Sequence, residues 1–87
     1  MKILVIGEAK SPEQREELDY LVEQCDKLLD VQLERRSSTS LAGVGTMEAY
    51  DILNTPAVLV VRDDGGVVAM WQHTLPLFSD VSYYYHS

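Results

Sequence analysis

One cysteine, Cys25, stands in 87 residues. An intrachain disulfide is excluded, and a structural zinc site of the usual Cys/His type is disfavoured for want of a second thiol. Basic residues are also scarce. Seven Lys plus Arg face fourteen Asp plus Glu, a formal net charge of −7. Binding to a phosphate backbone depends on basic groups that release counterions, so nucleic acid is not an expected partner. Long apolar runs are missing too. The run Ile3 to Ile6 is too short for a signal-peptide core, and nothing approaches the ~18–20 apolar residues of a membrane span. The expectation is an acidic, cytoplasmic protein with no membrane partner. His73 and His86, with Asp63 and Asp64, match no recognisable ligand spacing. Neither a metal nor a cofactor is expected.

What remains is ordinary globular composition, with 46% hydrophobic and 24% charged residues, far from the profile of a disordered chain. The length suits one compact domain over 1–87, and no repeat, low-complexity tract or linker divides it. A chain this small buries only roughly 60–65% of its unfolded surface, so modest stability, or help from association, is expected.

The segment KILVIG is a short apolar run ended by Gly7, which suits a strand buried on both faces. Leu18, Leu21, Val22, Cys25, Leu28 and Leu29 recur at helical spacing, opposite a face of Glu13, Glu16, Glu17, Glu23, Asp26 and Lys27. A helix over about 11–29 is predicted. DVQLERR alternates as a second, more exposed strand, and the Ser/Thr/Gly-rich SSTSLAGVG reads as a loop. A short helix over 46–53 follows, with Met47, Tyr50 and Leu53 inward, ended by Thr55-Pro56. AVLVV is the clearest strand. Asp64-Gly65 turns it into VVAMW, and Pro76 opens a last helix with Leu77, Phe78, Val81, Tyr84 and Tyr85 on one stripe. The order is β-α-β-α-β-β-α. Its first crossover favours a parallel pair and its hairpin adds an antiparallel one, giving a mixed four-stranded α/β sheet packed with helices.

That order, with Pro56 directly before the third strand, resembles the thioredoxin/glutaredoxin superfamily over nearly the whole chain. YDILNTPAVLVVRDDGGVVAMW looks like the family's cis-proline loop, strand, turn and returning strand. KILVIGEAKSPEQREELDYLVEQ looks like its first strand, active-site loop and long helix. The resemblance puts Ser11 at the nucleophilic cysteine position and Gln14 at the resolving one, with Pro12 where glutaredoxins carry a proline. It makes Pro56 the cis-proline and Thr55 the residue whose backbone would pair with a bound peptide or glutathione. Two features depart from the pattern. Both active-site cysteines are absent, and QHTLP follows the last strand in place of a Gly-Gly pair. Gly65-Gly66 lies a strand too early and reads as the hairpin turn.

Thiol–disulfide exchange needs a thiolate attacking a disulfide sulfur. A serine hydroxyl at a helix N-terminus does not ionise, and the adjacent Lys10 is a single flexible surface lysine rather than a positioned base. Ser11-Pro12-Glu13-Gln14 instead reads as a helix start: Ser as N-cap, Pro at the first position, Glu against the helix dipole and Gln completing a capping box. Cys25, on the apolar stripe about three turns in, reads as a small buried hydrophobe. Tyr83 to Tyr85 cannot all point inward at ~100° per residue, so an aromatic contact surface is open to them. Trp71 is expected to pack under a helix. The leading functional expectation is a protein- or peptide-interaction module using Thr55-Pro56 and the Ser11–Gln14 loop, with self-association as a homodimer one form of it. The alternatives are a redox protein acting through Cys25 or a partner's thiol, and a structural subunit of a larger assembly.

Overall fold

The computed structural model of the chain describes residues 1–29, 32–72 and 74–86. The chain runs β1 (Lys2–Ile6), α1 (Pro12–Leu28), β2 (Gln32–Arg36), α2 (Leu41–Ala49), β3 (Ala57–Val61), β4 (Val67–Gln72) and α3 (Phe78–Tyr85). The element order is the expected one. The strands form one sheet in the order β2-β1-β3-β4, with β1 parallel to β2 and antiparallel to β3, and β3 antiparallel to β4. The central strands β1 and β3 are the two continuous apolar runs. Their buried side chains alternate between two clusters, as the twofold period of a strand requires. Ile3, Val5, Val58 and Val60 meet Leu18, Leu21, Cys25 and Leu29 of the α1 segment and Val81 of α3. Leu4, Ile6, Ala57, Leu59 and Val61 meet Ile52, with Met47 and Tyr50 from the α2 region and Met70 from β4. Asp30, Val31, His73 and Ser87 lie outside the described residues, so the expectations for Val31 and His73 go no further.

Several boundaries differ from those expected. Leu28 is 65% exposed rather than core, because it falls about 80° around the helix from Leu18, at the flank of the stripe. The second helix covers 41–49, not 46–53, so it takes in half of the supposed loop. Ser40 caps it: its Oγ accepts from the Gly43 amide at 3.0 Å and donates to the Ser37 carbonyl at 2.9 Å. Gly43 is needed there, since a Cβ on it would sit 1.7 Å from the Ser37 carbonyl oxygen. The helix stops at Tyr50. Asp51 takes a left-handed φ of 55°, the Ile52 amide bonds the Met47 carbonyl at 2.8 Å and the Asp51 amide that of Glu48. This is a Schellman ending, and it brings Ile52 against Met47 in the core. Leu53, expected inward, is consequently 84% exposed. Pro56 does not end the helix, which has closed well before it.

At the other end, Pro76 precedes the cap residue Leu77 instead of occupying the first helical position, and Asp80 accepts the Leu77 amide at 3.3 Å. Leu77 is exposed, whereas Phe78 and Tyr85 pack on the Val81 cluster. Trp71 lies partly buried against that cluster, edge-on to Tyr84 with ring centroids 5.7 Å apart. Tyr83 is the most exposed ring of the three.

Candidate functional site

The β1–β3 register puts Ile6 beside Ala57. The chain leaving β1 and the chain entering β3 therefore emerge at one end of the sheet. Gly7 and Thr55 are in direct contact there. A Cβ on Gly7 would lie 2.6 Å from the Thr55 Cβ, and Gly7 has φ +87°. Only glycine fits both the conformation and the space. The Gly7 amide continues the parallel ladder to the Arg36 carbonyl at 2.8 Å. The Thr55-Pro56 peptide bond is cis. Pro56 is buried, Thr55 is half-buried, and no hydrogen bond engages the Thr55 main chain among the described residues.

Two groups that sequence reasoning passed over hold this loop. Gln72, at the end of β4, accepts the amides of Leu53 and Asn54 through its side-chain oxygen at 3.0 and 3.1 Å. Gly7 supplies the close approach. The glycine was visible as the end of an apolar run. The glutamine left no local signal, since its partners are 18 and 19 residues away.

Ser11 has extended backbone and caps α1, accepting the Gln14 amide at 3.1 Å. The return bond departs from the expected capping box. The Gln14 side-chain oxygen accepts from the Lys10 amide at 2.7 Å, one residue before the cap. Pro12 and exposed Glu13 fill the first turn. A shallow recess of 410 Å³ is lined by Ala9, Lys10, Ser11, Pro12, Arg15 and Glu16. Thr55 and Pro56 are not part of that lining. The two loops share an end of the sheet without sharing this recess.

Cys25 is elsewhere. Fourteen residues separate it from Ser11, about 21 Å along a helix. It is 1% exposed, in the cluster beneath the helix. Burial pushes its thiol pKa up, the reverse of what a thiolate nucleophile needs. A disulfide reagent should find no reactive thiol in the native protein and one equivalent after denaturation. Immediate native labelling would contradict this burial. The raised pKa also has a signed consequence. The unfolded thiol ionises above about 8.5 while the buried one stays protonated, so stability is complete below that pH and declines above it. The decline should not exceed ~1.4 kcal/mol per pH unit, and it should vanish from the difference between wild type and Cys25→Ala if another group causes it.

Among the described residues, no cluster of His, Cys, Asp and Glu could hold a metal ion, and no helix is long and apolar enough to cross a membrane.

No protein-family model and no curated protein matches the sequence. Among solved structures, thioredoxin 1 from the thermophilic eubacterium Thermosipho africanus TCF52B is similar, with a TM-score of 0.72 at 13% identity, covering 99% of this chain and 91% of that one. The likeness is one of fold, and the chain has a thioredoxin-like fold.

Proposed function

We propose that the chain is a protein- or peptide-interaction module built on a thioredoxin-like fold, without dithiol redox chemistry and without a cofactor. The bound segment is extended and adds a short strand along the Thr55 main chain, flanked by the Ser11–Gln14 helix start. Main-chain hydrogen bonds supply the affinity in such strand addition. The observation that carries this reading is the Thr55 backbone, which has no internal hydrogen bond among the described residues, fixed at the sheet end by Gly7 on one side and Gln72 on the other. The absence of a second cysteine supports the other half, because the lone thiol is buried about 21 Å along a helix from the cap.

Thr55→Arg tests the surface. Capture of a partner from the native cell should weaken by roughly thirtyfold or more, the loss of a hot-spot contact worth ~2 kcal/mol, while the circular dichroism spectrum is unchanged. Capture that survives intact removes this surface from consideration. Insulin reduction by the wild-type protein should stay at background; reduction that disappears in Cys25→Ser would establish the redox alternative instead.

A further inference from the structure

The side-chain amide of Gln72 has two ends, and only one of them holds the loop. Its oxygen accepts the Leu53 and Asn54 amides at 3.0 and 3.1 Å. Two N–H donors demand an oxygen there, so the nitrogen is the end turned the other way. That nitrogen, Nε2, donates to Sδ of Met70 at 3.0 Å. Met70 and Gln72 are two apart on β4 and therefore share a face of the sheet. The sulfur, the glutamine and the backbone leading into Thr55-Pro56 form one connected run of contacts.

A thioether is a weak acceptor, yet it brings a chemistry that the other members of this run lack, a reversible two-electron oxidation. Met70 is partly exposed, on an outer strand. Cys25 is not a competing target, because it is 1% exposed and burial pushes its pKa up. A peroxide meets no thiolate there.

We propose that Met70 is an oxidation site that governs the hold of Gln72 on the Thr55 loop, with a peroxide as oxidant. A lone pair of the Met70 sulfur attacks one oxygen of hydrogen peroxide and the O–O bond breaks. The proton on the transferred oxygen passes to the departing one, which leaves as water. The sulfide gives up two electrons and becomes a sulfoxide, and the peroxide takes them.

The product does not fit the present contacts. An oxygen added on the side of Gln72 would have to enter the 3.0 Å gap between Sδ and Nε2. The glutamine amide must then retreat, and its bonds to Leu53 and Asn54 go with it. An oxygen added on the other lone pair brings a polar group to a side chain packed against the cluster of Leu59 and Ile52. Burying that group unpaired is unfavourable. The Met70 side chain swings out, and Gln72 loses the partner that orients it. Both epimers loosen the same loop. Its consequence for peptide capture rests on the function proposed above; the loosening itself does not.

Amide exchange of the full chain before and after hydrogen peroxide tests the site, with peptide mass mapping to quantify sulfoxide at Met1, Met47 and Met70. In protein carrying Met70 sulfoxide, the Leu53 and Asn54 amides should exchange about fivefold faster, the factor carried by one ordinary hydrogen bond. The β1–β3 ladder should keep its protection. Sulfoxide reductases of the two epimer specificities should together restore slow exchange. Met70→Leu conserves volume and lacks the sulfur, so peroxide should leave its Leu53 and Asn54 amides as they were. Met47→Leu should respond as the wild type does. If Met70→Leu does not fold, the wild-type exchange and its reversal decide alone. Unchanged exchange in Met70-oxidised protein, or an equal response in Met70→Leu, overturns the proposal. So does a Met70 that stays reduced while Met1 and Met47 are converted. Faster exchange with undiminished partner capture supports the oxidation site and counts instead against the Thr55 surface.

Discussion

Leu59→Ala should lower stability by about 3 kcal/mol, within the ~2–5 kcal/mol range for removing a buried leucine. Leu59 is fully buried at the middle of β3, between β1 and β4. Its side chain points into the cluster on the α2 side of the sheet, which one nine-residue helix covers. Two neighbours there, Met47 and Met70, are flexible enough to move partly into the space left behind. This holds the expected loss below the top of the range. A chain of this length has a total stability of roughly 4–13 kcal/mol, so the change removes a large share of it. The melting temperature should fall by about 12–24 °C, at ~4–8 °C per kcal/mol for a domain of this size. In urea the midpoint should drop with the slope unchanged, because the surface exposed on unfolding is nearly the same. A loss below ~1 kcal/mol would mean that this side of the sheet is not packed as described.

The parts of the fold that were legible are those whose signal is local and strong. β1 and β3 announce themselves as unbroken apolar runs because both faces of the central strands are covered. α1 shows a stripe long enough for its period to be unambiguous, and Ser11 to Gln14 spell out a cap. α2 was misplaced because its own composition carries no period. LAGVGTMEA is apolar or small nearly throughout, and its start depends on Ser40 and Gly43 fitting against Ser37, a packing fact rather than a propensity. Its end depends on Asp51 adopting a left-handed backbone, which the surrounding residues do not signal. At the site the same division holds. The helix start can be read along the chain, whereas the contact between Gly7 and Thr55 spans 48 residues of sequence and exists only once β1 and β3 have paired.

Gly7→Ala brings fold and site together, and it should cost about 2–5 kcal/mol. Two terms contribute. A non-glycine residue at φ +87° is disfavoured by roughly 1–2 kcal/mol. The new Cβ would also lie 2.6 Å from the Thr55 Cβ, a clash with a branched side chain beside the backbone rather than with the tip of a flexible one, and forced overpacking of this kind costs ~1–3 kcal/mol. The hairpin supplies the control. Gly65 has a similar φ of +91°, but nothing lies within 4 Å of a Cβ built on it, so Gly65→Ala should show the backbone term alone, about 1–2 kcal/mol. The excess of Gly7→Ala over Gly65→Ala then measures the contact with Thr55. If Thr55 yields to relieve the clash, its main chain moves away from the position proposed to receive a peptide. Gly7→Ala should then lose partner capture at temperatures where it is still folded, while Gly65→Ala keeps it. Equal destabilisation by the two substitutions would show that Gly7 and Thr55 do not press on one another, and the support assigned to the Thr55 loop would go with it.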